Sequence, residues 1–115
     1  MKTFVLGDVH GCYKALLQVF ERSKFDYNDD RLVCLGDVVD GWPEVYECVE
    51  ELLKVKNLVY ILGNHDVWSL DWALRGAKPE VWTTQGGDST LESYRKHGGQ
   101  MPASHVKLFS EAPVN

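Results

Sequence analysis

The chain has 115 residues, enough for one domain, with 44% hydrophobic and 25% charged residues, an ordinary globular balance. Its net charge of −5 argues against a general nucleic-acid surface, which needs a basic stripe, yet admits an anionic substrate wherever bound metal ions reverse the local field. No run reaches the roughly 18 apolar residues of a membrane span, and Met1-Lys2-Thr3 leads into a strand-like run instead of a signal peptide.

Phe4-Val5-Leu6 is short, apolar and partly β-branched, and reads as a buried strand. Ala15, Leu16, Val19 and Phe20 then give one apolar helical face. After a polar turn over residues 26–30, Leu32-Val33-Cys34-Leu35 reads as a second strand. Pro43 suits the first turn of a helix, Glu44 and Glu47 favour its positive end, and Val45, Cys48, Val49, Leu52 and Leu53 supply the strongest helical periodicity in the chain. Leu58 to Leu62 is a third strand, and Val67 to Arg75 a third helix stopped by Gly76. Residues 77–88 read as a long loop of the kind that shapes a substrate rim. Ser89-Thr90-Leu91-Glu92 has the pattern of a capping box opening a short helix, and Pro102 to Ala112 gives another, with Val106, Leu108 and Phe109 inward. The order βαβαβα predicts an α/β fold with a parallel sheet, its continuous apolar strands covered on both faces.

Three motifs share one grammar: Gly7-Asp8-Val9-His10-Gly11, Gly36-Asp37-Val38-Val39-Asp40-Gly41 and Gly63-Asn64-His65-Asp66 each follow an apolar strand. In open α/β sheets the ligand crevice lies beyond the carboxyl ends of the strands, so these polar residues are expected to converge. Asp8, His10 and Asp37 offer mixed oxygen and nitrogen ligands suited to Mn, Fe or Zn more than to Ca, and Asn64 adds a neutral ligand. Asp37, on the middle motif, could serve two ions with its two oxygens. Two-metal sites hold a hydroxide and clamp the attacking and leaving oxygens of an in-line displacement. His65 could protonate the leaving oxygen, with Asp40 orienting its imidazole. The glycines permit tight turns and bring backbone N–H groups towards phosphate.

Single residues admit plainer readings. An Asp after a strand is often a helix cap, and Asp66 reads as one, with metal ligation the competing role. Trp42, Trp68, Trp72 and Trp82 read as packing or rim residues, His97 as lying near a helix end, and His105 as surface. Cys12, Cys34 and Cys48 lack metal-type spacing and read as reduced, mostly buried thiols of a cytoplasmic protein.

"GDVHG", "GDVVDG" and "GNHD" resemble the three N-terminal signatures of the calcineurin-like metallophosphoesterase superfamily, in the branch of phosphoprotein phosphatases and symmetrical dinucleoside tetraphosphatases. The later "WTTQGGDSTLESY" is similar to a segment of bacterial phosphatase-like members. The resemblance implies Asp8 and His10 on a first metal, Asp37 bridging, Asn64 on a second, and His65 with Asp40 as the acid. It also implies a β-sandwich flanked by helices, with a second sheet. The expected activity is hydrolysis of phosphomonoesters, phosphoprotein among them, or of nucleotide polyphosphates by a dimetal-bound hydroxide, with Mn foremost.

Three departures qualify it. Family members often carry phosphate-holding Arg where this chain has Gly41 and Leu62; Arg75 or Lys78 are the available substitutes. Further His ligands come from a second half that residues 1–115 do not include, so the sequence reads as one C-terminally truncated domain. That leaves a partner or complementing C-terminal half, or self-association at the open sandwich, to be considered. The competing functions are a catalytically impaired remnant acting as a binding or assembly module, and a phosphoacceptor receiver or haloacid-dehalogenase-type phosphatase. The last wants Asp two residues after its nucleophile, where this chain has His10.

Overall fold

Three parallel strands, β1 (Thr3–Leu6), β2 (Arg31–Cys34) and β3 (Asn57–Tyr60), pair in the order β1-β2-β3 in a computed structural model that describes residues 1–114. Thr3 pairs with Arg31 and Arg31 with Asn57, which places Val5, Val33 and Val59 in one row across the sheet. The crossovers run through α1 (Tyr13–Ser23) and α2 (Val45–Leu52). Two like-handed crossovers between adjacent strands put both helices on the same face. Leu16 and Phe20 of α1, and Val45, Cys48, Val49 and Leu52 of α2, close over Leu32, Cys34 and Tyr60 to make the core. The parallel α/β arrangement read from the sequence is the one observed.

The expectation of cover on both faces is corrected. Val5 is 66% exposed and Val59 42%, so the valine row is bare. All the described strands belong to one sheet, so no second sheet packs on that side among the described residues. Ala15 and Val19 are also exposed, and only Leu16 and Phe20 of the expected α1 face are buried.

The third helix, α3 (Asn64–Arg75), begins three residues before the expected Val67. Asp66 lies in its first turn and accepts a hydrogen bond from the Gly63 N–H at 3.0 Å, which fixes this earlier start. The expected loop over 77–88 is largely helical: α4 (Glu80–Trp82) is a single turn, followed by a wide turn over Thr83–Gly87 that kinks at Gln85 and Gly86. Next comes α5 (Asp88–Arg95), and then α6 (Ala103–Glu111). The capping box at Ser89 does not form, because the Ser89 hydroxyl donates to the Gly41 carbonyl at 3.2 Å.

Phe109 of α6 packs edge-on against Tyr60, with Val106 and Leu108 partly buried beside it. His105, expected at the surface, is fully buried. Its Nδ1 lies 2.7 Å from the Tyr94 hydroxyl and its Nε2 2.7 Å from Glu50, because α6 is drawn against α2 and α5. Beyond α6 the chain returns to the sheet, where the Leu62 N–H donates to the Pro113 carbonyl and Leu62 bridges Val114 in parallel. No helix is long and apolar enough to cross a membrane among the described residues.

Candidate metal and catalytic site

The first two motif loops are zipped together by backbone bonds. His10 N–H donates to Asp37 O at 3.0 Å, Gly11 N–H to Val38 O at 2.6 Å and Trp42 N–H to His10 O at 2.8 Å. Asp66 ties the third motif to the second. Its buried carboxylate accepts from Asp37 N–H at 2.8 Å, Val38 N–H at 3.2 Å, the Tyr60 hydroxyl at 2.8 Å and Gly63 N–H. Burial pushes the Asp66 carboxyl above its usual range, and these donors offset part of that penalty. Asp66 is therefore a cap and a cross-loop tie, as the capping reading expected.

These loops hold their side chains at a cost in backbone torsion. Asp8 (φ 56°), His10 (φ 47°), Asp37 (φ 54°) and Asp40 (φ 70°) all adopt the left-handed region. Non-glycine residues rarely sit there, and such strain gathers at functional sites. Gly63 has ordinary torsions and is required by space, since a Cβ there would collide with the Asp37 carboxylate.

One ligand atom each from Asp8, His10 and Asp37 lie within 4.8 Å of one another. His10 Nδ1 is 2.9 Å from the Val39 carbonyl, an acceptor only, so Nδ1 bears the proton and Nε2 is left for a metal. Two carboxylates and an imidazole so arranged form a group that could hold a divalent metal ion. Asn64 is the exposed first residue of α3, and the N–H of the following residue, His65, donates to Asp37 Oδ1 at 3.0 Å. A cleft of about 350 Å³ opens beside Asp8 and His10, walled by Val9, Ala15, Val19 and the exposed Trp42.

His65 and Asp40 pair across 2.8 Å, Nδ1 to Oδ2. A carboxylate only accepts, so Nδ1 carries the proton and Nε2 is the nitrogen free for chemistry. The His65 ring lies edge-on to His10, centroids 5.1 Å apart, and to Trp68. Asp8, His10, Asp37, Asp40 and His65 are therefore brought together on one rim. Arg75 does not join them: it pairs with Asp71 at the far end of α3, about 16 Å along the axis from Asn64 at 1.5 Å per residue. Sequence reasoning missed Trp82 and Thr90, which both bond the Asp40 carboxylate. The "WTTQGGDST" likeness was the available signal.

The family model described as calcineurin-like phosphoesterase matches residues 1–113. The chain belongs to that family. A calcineurin-like phosphoesterase fold is also what the solved structures give. A crystal structure of a provisionally named diadenosine tetraphosphatase superposes with a TM-score of 0.68 at 21% identity, over 99% of this chain and 49% of that one. Among curated relatives, serine/threonine-protein phosphatase 1 of Salmonella typhimurium is 32% identical over 103 residues, 90% of this chain and 47% of that protein. The symmetrical bis(5'-nucleosyl)-tetraphosphatase of Coxiella burnetii is 38% identical over 68 residues, 59% of this chain and 23% of that protein. The chain thus spans about half the length, or less, of the relatives it matches.

Proposed function

We propose that this calcineurin-like phosphoesterase chain supplies the metal-binding rim of a hydrolase acting on phosphomonoesters, phosphoproteins or dinucleoside polyphosphates. The observation that carries the reading is the Asp8, His10 and Asp37 cluster with the His65–Asp40 pair beside it. Asp8, His10 and Asp37 would hold one divalent ion, and Asp37 with Asn64 a second; Mn is the first candidate, Fe and Zn the others. Such ions supply Lewis-acid polarisation of phosphoryl oxygens and a more acidic water. The chain's own contribution is positional. Asp40 keeps the His65 proton on Nδ1, so the imidazolium gives up its Nε2 proton to the leaving oxygen and retains the one facing Asp40. The apolar cleft beside His10 suits an aromatic or nucleobase leaving group. The free thiols fit a reducing compartment such as the cytoplasm: Cys34 and Cys48 are buried, and burial pushes Cys34 up to about 12.

The test is Asp37→Asn, read by Mn²⁺ titration and by hydrolysis of an aryl phosphate. Loss of both, with the fold intact, is expected; normal manganese-dependent turnover in that variant overturns the reading. A second reading, a non-catalytic binding or assembly module, is favoured by the open row of Val5, Val33 and Val59 on the sheet. No hydrolysis at saturating Mn²⁺ by folded chain would select it.

A further inference from the structure

We propose that Trp82 and Thr90 are positioning residues that lock the Asp40 carboxylate onto His65 and hold His65 in a single tautomer. The inference rests on the reading of His65 as the proton donor. Asp40 is 1% exposed and makes no contact with bulk water that could orient it. Its Oδ2 accepts two bonds, from His65 Nδ1–H at 2.8 Å and from Trp82 Nε1–H at 2.7 Å. Its Oδ1 accepts the Thr90 hydroxyl at 2.6 Å, and the Thr90 oxygen in turn accepts the Asp40 N–H at 2.9 Å. Both carboxylate oxygens are thereby fixed, and rotation about Cβ–Cγ would break bonds at each end.

The segment around these residues has the shape that this task requires. The Trp82 indole is fully buried, and Gly87 lies so close to it that a Cβ there would stand 2.7 Å from the ring. Gly86 (φ 106°) lies against Asp40 and Gly41, where a Cβ would come within 3.2 Å of Asp40 Cβ. The two glycines let the chain fold around Asp40 closely enough for an indole N–H and a hydroxyl to reach one carboxylate. A purely structural role would need only that the segment stick to the core; apolar contact would serve, and no donor need face the catalytic carboxylate. Hydrogen-bonded partners of this outer kind matter about tenfold or more in activity at comparable sites.

The experiment compares Trp82→Phe and Thr90→Val with Thr90→Ser, which keeps the hydroxyl. The direct readout is nitrogen-15 NMR of the His65 imidazole in the metal-free chain at alkaline pH. Wild type and Thr90→Ser should show the Nδ1–H tautomer alone, while Trp82→Phe and Thr90→Val should show a mixture. With Mn²⁺, the two deleting variants should lose about tenfold in kcat on an alkyl phosphate, little on a nitrophenyl phosphate whose leaving group needs no proton, and nothing in KM. A single Nδ1–H tautomer in both deleting variants overturns the proposal, as does an equal loss on both substrates. If wild type hydrolyses nothing, the phosphoesterase reading fails, while the tautomer measurement still decides the positioning role. If Trp82→Phe does not fold, the Thr90 pair decides alone.

Discussion

At Asp66 a single carboxylate, fully buried, accepts four hydrogen bonds from three stretches of chain. Replacing it with Asn puts an N–H₂ group against donors and orphans at least one of them. The expected cost is about 3 kcal/mol, the range for breaking a buried charged network, measured by urea denaturation. His105 gives a prediction with a sign. Burial pulls its imidazole below the ordinary 6.5, while Glu50 opposes the shift. The folded chain therefore prefers neutral His105, its Nε2–H donating to Glu50 and its Nδ1 accepting from Tyr94. That stability is full above pH 6.5 and is lost as pH falls through the lowered folded value. His105→Gln, which does not titrate there, should flatten the acid limb of a melting-temperature profile relative to wild type. The two residues differ in how far the sequence announces them. Asp66 follows a Gly-Asn-His strand end and reads as a cap from its neighbours alone. His105 meets Glu50 from 55 positions away, and an amphipathic pattern over one helix cannot report a partner at that range.

The elements were legible where a period or a breaker fixes them. The apolar spacing of α2 and the β-branched strands gave the crossovers, and the glycine turns at the strand ends gave the rim on which Asp8, His10, Asp37, Asp40 and His65 meet. Residues 80–88 were misread because Pro79, Gly86 and Gly87 are turn formers locally, whereas tertiary packing of the buried Trp82 makes the segment helical. The local capping pattern at Ser89 lost to a longer-range acceptor, Gly41. The packing of this segment is testable at Gly87. A Gly87→Ala side chain would enter the Trp82 indole, and overpacking of this kind costs typically 1–3 kcal/mol. The variant should melt earlier and show red-shifted tryptophan fluorescence as the indole is displaced; an unchanged spectrum would contradict the packing described.

For the molecule as a whole, the bare sheet face departs from the two-sided cover that the apolar strands imply. Continuous apolar strands imply two covers, and the described residues provide one, over Leu32, Cys34 and Tyr60. The row Val5, Val33, Val59 is left open, with Leu35 exposed nearby. Exposed contiguous apolar surface favours association. Val5→Thr with Val59→Thr should therefore reduce light scattering at high concentration while changing stability by only about 0.5 kcal/mol, since both valines are substantially exposed. Equal scattering from the double variant would assign association to another surface. On the opposite side of function, the loops bearing Asp8, His10 and Asp37 are braced by Asp66 and by one another. A cation bound there as proposed would find its donors already in place and would spend little on ordering the chain. Selection among ions would then fall to radius: one that demands longer bonds would either spread a braced framework or sit loosely within it.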